Sequence, residues 1–342
     1  MWNITSYEIK MEELLIRDFG EAPGKKYFTQ YSSARDVLIQ DNFFSQITGA
    51  QPSLSDHGIP HIRNVLENVG KLLGDEIDQV SGMTLYCLGL VVLFHDVGNV
   101  FGREFHNKHI AEVYNHVRKK EAYYNQERSV VIAAAEAHCG RNREGGRDTL
   151  KFLDEVDNLF GEPIPLRNVA AILRFADELA EGPQRTSQFM REIGAIAEES
   201  TIHHDYASVT QMFIDRKGGR VSITYNIDID ENTTKESLNE LLKHIHIRIV
   251  KVDEERRYNK HYCDLLAPFK KTTVKFNFYI DGMPAEFDLD KIEITDRFPI
   301  PGETTGGVEQ LLSKNNEISI DELWTRIDKV LTKKIAENGQ TA

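Results

Sequence analysis

A chain of 342 residues, 40% hydrophobic and 28% charged, is long enough for two ordinary cores and has the make-up of a folded protein, not of a disordered or membrane-embedded one. Its 41 basic and 54 acidic side chains give a formal charge of -13, which weighs against long nucleic acid wrapped over the surface. Three widely separated cysteines (Cys87, Cys139, Cys263) make no disulfide framework, and the opening residues lack the basic-then-apolar pattern of a secretory signal, so a cytoplasmic setting with no membrane partner is expected.

Apolar residues at three- and four-residue spacing predict helices over 8–19, 35–47, 59–73, 80–97, 106–119, 126–138, 149–160, 166–179 and 187–199. Gly and Pro mark the breaks, at 58–60, Gly98, 140–146, 161–165 and Gly182-Pro183. The stretch from Gly82 to Phe94 is apolar nearly all round and is expected to be the central buried helix, too short to cross a bilayer. After about residue 205 the pattern changes. β-branched runs at 208–215 and 220–228, joined by Arg-Lys-Gly-Gly, predict a hairpin, and a long amphipathic helix follows over 234–266. A strand is predicted at 272–280, with 285–289 as its partner, and a loop then leads to a short helix opened by a Ser319/Glu322 capping box. The expected fold is mainly α: a helical bundle over 1–204, a smaller C-terminal α+β domain over 205–300, and a loop with a terminal helix over 301–342.

Seven of the 12 histidines (His57, His61, His95, His106, His109, His116, His138) lie in the helical half. Imidazole with carboxylate is the usual way to hold a first-row transition metal. The buried helix ends in Phe94-His95-Asp96-Val97-Gly98, a costly place for a His-Asp pair unless metal or hydrogen bonds satisfy it. Upstream stands Ser-Asp-His-Gly-Ile-Pro-His-Ile (55–62), with His61 in the first turn of a helix. Downstream, Ile-Leu-Arg-Phe-Ala-Asp-Glu-Leu (172–179) sets Asp177 among apolar residues.

The order His, His-Asp, Asp resembles the signature of the HD superfamily of metal-dependent phosphohydrolases, with His61, His95-Asp96 and Asp177 in the four positions, and the wording around His61 looks most like its HD-CE-type branch. The resemblance covers about residues 50–200. It implies an HD-type bundle holding one or two divalent ions. In two-metal members the Asp of the pair bridges the ions and further histidines complete the second site, for which His106 and His138 are the candidates and His109 the competitor to His106. The chain departs from the cyclic-di-nucleotide esterase branch at His138-Cys139-Gly140, where no Gly-Tyr-Pro follows.

His and Asp ligands suit Mn, Fe, Co, Ni or Zn more than Ca, and Mg fits a single-ion site. The catalytic set read from the sequence is His95, Asp96 and His57; His57 reads equally as a donor toward a leaving group and as a structural residue beside Asp56. Phosphate also needs cations, and Lys108, Arg141, Arg143, Arg147, Arg174 and Arg185 all lie near the motifs. Cys139 reads either as a soft ligand or as a small buried residue. Residues 101–150 carry 9 basic and 7 acidic side chains, the one net-positive stretch, so the expected substrate is a small phosphorylated compound such as a nucleotide. Two other readings are a sensing module that binds a nucleotide without turnover and a di-iron oxygenase. The C-terminal domain could form a homo-oligomer interface.

Overall fold

The structure, a computed structural model, describes residues 2–50, 58–102, 106–139, 146–187, 196–230, 233–285, 287–296 and 307–339. Helix α1 (Ser6–Phe19) opens with a capping box. The Thr5 hydroxyl accepts the Glu8 N–H, and the Glu8 carboxylate accepts the Thr5 N–H at 2.7 Å. Glu8 is buried and pairs at 2.7 Å with Arg35 of α2 (Glu21–Gln40), which folds back on α1 across Gly20. A helix limited to 35–47 is not what forms. Helix α2 begins at Glu21, and a turn with Asn42 at φ 57° separates it from α3 (Phe43–Ala50). Pro23 lies in the first helical turn, where its missing N–H costs nothing. A Cβ on Gly24 would lie 2.6 Å from the Ile16 Cα, so the Pro-Gly pair opens a closely packed helix rather than ending one.

Helix α4 (Ile59–Leu73) matches its expected span. Helix α5 (Gly82–Phe94) starts where the Ser81 hydroxyl accepts the Thr84 N–H, and every one of its residues is buried. Helices α1, α2, α4, α7 (Asn125–Glu136) and α8 (Leu166–Glu178) pack around it. Counted with the turn that follows α5, Gly82–Phe101 is the one described stretch long and apolar enough to cross a membrane, but it is 89% buried inside the protein. It is the core of the bundle. Helix α6 (His106–Val117) completes this half. The helix expected over 149–160 is absent. A short turn at Leu150–Phe152 is followed by a hairpin of β1 (Asp157–Leu159) and β2 (Glu162–Ile164). Phe160 and Gly161 take φ 54° and 92°, the two positive angles of a tight hairpin turn, which the Gly-Glu-Pro sequence serves better than helix.

Most of the span predicted as helix over 187–199 lies outside the described residues. Helix α9 (Glu198–Val209) runs through the expected division at 204 and leads into the sheet. Strands β3 (Thr210–Asp215) and β4 (Arg220–Ile229) form the predicted hairpin. Helix α10 (Lys235–Tyr262) crosses over to β5 (Lys271–Ile280), which pairs parallel with β4. Of the expected partner 285–289, Ala285 donates to the Phe278 carbonyl of β5 at 2.9 Å, and residue 286 lies outside the described residues. Asp281-Gly282, at φ 51° and 75°, turns so tightly that β6 (Met283–Pro284) pairs at once, and β7 (Ile292–Thr295) adds on the same strand. The C-terminal segment is also more helical than predicted, with α11 (Val308–Lys314) and a long α12 (Ile320–Gly339).

Helix α10 binds the two halves together. Arg256, fully buried, bonds Asp253, Thr272, Asp296 and the Phe269 carbonyl. On the bundle side, Arg174 of α8 makes a two-pronged bond to Glu255 at 2.6 Å and 2.6 Å, while Glu178 of α8 pairs with Arg248 at 2.8 Å and Lys251 at 3.0 Å.

Candidate metal centre

Five helices deliver the polar cluster. His61 stands in the first turn of α4, behind Gly58 and Pro60. His95 and Asp96 end α5, His106 begins α6, His138 lies just beyond α7, and Asp177 is in the last turn of α8. None of these residues is close to all the others in sequence. The convergence comes from packing the ends of the other four helices around His95 and Asp96 at the end of α5.

Asp96 faces two ways. Its Oδ2 lies 3.3 Å from His95 Nε2 and 3.9 Å from His61 Nε2, while its Oδ1 lies 3.6 Å from both His106 Nε2 and His138 Nε2. Asp177 Oδ1 closes the first group at 3.2 Å from His61 Nε2 and 3.7 Å from His95 Nε2. Such spacings are the edges expected around a cation with bonds of about 2.0–2.2 Å. Ring orientation agrees. His95 Nδ1 donates to the Val92 carbonyl at 2.8 Å, and His138 Nδ1 donates to that of Ala135, so each presents its Nε2 lone pair inward. His95 Nε2 is buried and faces the Asp96 and Asp177 carboxylates at 3.3 Å and 3.7 Å, as a ligand atom sharing a cation with them would.

Electrostatics point the same way. Burial opposes a charge on His95, but the Asp96 and Asp177 carboxylates outweigh it and hold the ring up to about 9. Burial likewise opposes charge on His138, and Cys139 and Asp96 outweigh it and hold the ring well above its usual value. Burial would raise Asp177, yet bonds to His61 and His95 keep it well below the usual carboxylate range. His61 is lowered, by burial first and then by the charge of Arg185. The carboxylates demand cations, and in the absence of metal protons serve. The His61, His95, Asp96, Asp177 group and the His106, His138, Cys139 group could each hold a divalent ion. The site opens toward Asp177 and His106, whose side chains keep 28% and 17% of their accessibility while His61 and His95 keep none.

Two supporting residues escaped the sequence reading. Asn99 is buried and donates from Nδ2 to Asp96 Oδ1 at 3.0 Å. Gly98 brings α6 into place, since a Cβ there would lie 1.9 Å from the His106 carbonyl oxygen. The glycine was legible as a helix break, but its role as a close approach was not.

His57, Arg141 and Arg143 lie outside the described residues. His106, not His109, reaches Asp96; His109 is turned to Glu112 at 3.1 Å and to the Phe101 ring. The cations divide. Arg174 is not held open for phosphate: both prongs engage Glu255, Thr149 takes a further bond at 2.9 Å, and the guanidinium lies over Tyr258. Arg147 is exposed and shares with Arg174 an open cleft of about 900 Å³ against α10, which no cluster residue lines. Arg185 is buried, pairs with Glu181 at 3.6 Å and acts electrostatically on His61. Lys108 is exposed on α6, two residues past His106.

The HD-CE family model matches residues 51–271, well over half of the chain. No curated protein and no solved structure matches it.

Proposed function

The chain belongs to the HD-CE family, and from that premise we propose that it is a metal-dependent phosphohydrolase acting on a phosphate ester of a nucleotide, a cyclic nucleotide or another small phosphorylated compound. The observation that carries this reading is Asp96, whose two oxygens each face a separate pair of histidines. His61, His95 and Asp177 would hold one divalent ion, His106 and His138 a second, and Asp96 both. Mn, Fe, Co, Ni or Zn suits this set, and Mg suits a single-ion state. Such ions supply Lewis-acid activation of water and neutralise charge on a phosphoryl oxygen.

The chain's own residues do the rest. Val92 and Ala135 carbonyls fix the ring tautomers of His95 and His138, and Asn99 fixes Asp96, so the donors are in place before substrate arrives. The opening at Asp177 and His106 admits substrate and water. Arg185, whose charge acts on His61, would supply positive charge near the phosphate. A hydrolysis screen of nucleotides and cyclic nucleotides with Mn or Ni tests the reading. Metal-dependent product release that disappears in Asp96→Ala is expected; hydrolysis surviving in that variant overturns it.

A second reading, a sensing module, draws on the ion pairs that tie α10 to α8 beside Asp177. Tight nucleotide binding without product in the same screen would favour it.

A further inference from the structure

We infer that Cys139 is a thiolate ligand of the second ion, so that the two halves of the centre differ in chemical softness and the half at His106 and His138 takes a thiophilic metal such as Zn. This rests on the reading of the cluster as a metal centre and goes beyond it, because the HD signature as matched here supplies only histidine and aspartate.

The geometry is that of a coordination polyhedron. Cys139 Sγ lies 3.5 Å from His106 Nε2 and 3.8 Å from His138 Nε2, and the two ring nitrogens are 3.5 Å apart. Around a tetrahedral ion with metal–nitrogen bonds of about 2.0–2.1 Å and a metal–sulfur bond of about 2.3 Å, nitrogen–nitrogen edges are about 3.3 Å and nitrogen–sulfur edges about 3.6 Å. The three observed separations fall within about 0.2 Å of those values. Asp96 Oδ1 lies 3.6 Å from each of the same two nitrogens. Two faces thus share one edge, with sulfur on one and oxygen on the other.

The local chain explains the placement. Helix α7 ends at Glu136, and the turn after it carries both His138 and Cys139 to the cluster, with the His138 Nδ1–H tied to Ala135. Adjacent residues in a turn can reach one ion where adjacent residues in a helix cannot. Cys139 is also the least buried of the three cysteines; Cys87 and Cys263 are fully enclosed. Thiolate favours Zn, Fe and Co over Mg and Mn, whereas the two-histidine, two-carboxylate half discriminates less.

Cobalt(II) reports sulfur ligation directly. The protein stripped with a chelator and titrated with Co(II) should bind two ions and develop a near-ultraviolet sulfur-to-cobalt charge-transfer band. In Cys139→Ser that band should vanish, and affinity for one of the two ions should fall about 10-fold or more while the other is held. Two ions bound with no such band, or a band unchanged in Cys139→Ser, overturns the thiolate and leaves the metal centre standing. Failure to bind cobalt at all overturns both. Should the variant not fold, the wild type still decides. Bound Zn should protect Cys139 from iodoacetamide, read by peptide mass spectrometry, and equal labelling with and without Zn contradicts the assignment.

Discussion

Asp96 is central to the cluster because its two carboxylate oxygens face separate pairs of histidines, and the residues around it hold it in that orientation. Asn99→Ala removes a side-chain N–H bonded to Asp96 Oδ1. Metal affinity should fall by about 10–100-fold, measured by chelator competition, with the circular dichroism spectrum unchanged. Gly98→Ala should be more damaging, since a Cβ at 1.9 Å from the His106 oxygen must push the start of α6 outward. Loss of one ion of two, with His61 and His95 still competent, is the expected outcome by metal analysis. An unchanged ion count would show that α6 can move without cost. His61, His95, Asp96 and Asp177 were legible in the sequence because motif order and helical spacing both mark them. Asn99 was not, because an Asn three residues after an Asp has many uses. The choice between His106 and His109 needed the three-dimensional position of Asp96, since both are half-buried residues near the start of the same helix.

At the scale of elements, the helix that brings Asp177 is held by α10 through ion pairs with little access to solvent. Glu255→Ala would leave the Arg174 guanidinium buried beside Thr149 and Tyr258 with its charge partner gone. A loss of about 3–5 kcal/mol in urea unfolding is expected. A loss under about 1 kcal/mol would place the pair among exposed ones. The same helix carries a pH signature. Burial lowers His246 to about 4, although a hydrogen bond to the Ile318 backbone works the other way. Its folded value lies below the unfolded one of about 6.5, so between those two values the unfolded chain takes up a proton that the folded chain refuses. Stability therefore falls as pH drops from about 6.5 to about 4, and this residue adds no pH dependence above that window. From pH 7 to pH 5 the contribution is about 2 kcal/mol. His246→Leu should show a shallower loss than wild type across that range in paired denaturant titrations; parallel curves would contradict it. Arg174 shows what sequence position conceals. It lies three residues before Asp177, yet its partners come from α10, some eighty positions later. The hairpin at 157–164 was hidden because helical apolar spacing read over 149–160 runs into its first strand, and the early start of α2 because the spacing was read only from Arg35, although a first-turn proline and a close-packed glycine fit inside a helix.

For the whole molecule, the net charge of -13 describes an acidic chain whose mildly basic stretch, 101–150, is the one that carries His106 and His138. Donors drawn from five helices would also couple metal to folding, because an ion held by all of them would favour the assembled bundle over the unfolded chain. With free metal at about 100 times its Kd, stability should rise by about 2.7 kcal/mol per ion, seen as a Tm that climbs with metal and falls with EDTA. A Tm indifferent to both would mean that the cluster is satisfied by protons alone. The bundle was readable from apolar periodicity, as α4 and the fully buried α5 show. The sheet order was not, since the parallel pairing of β4 with β5 depends on how α10 packs.

The most direct test is the number of ions bound by wild type and by Asp96→Ala, counted by equilibrium dialysis and elemental analysis and paired with phosphate-ester hydrolysis on the same samples. Two ions and turnover are expected in wild type, with loss of at least one ion and of turnover in the variant. A wild type that binds no divalent ion, or an Asp96→Ala that keeps both ions and hydrolyses as fast, would contradict a centre bridged by Asp96.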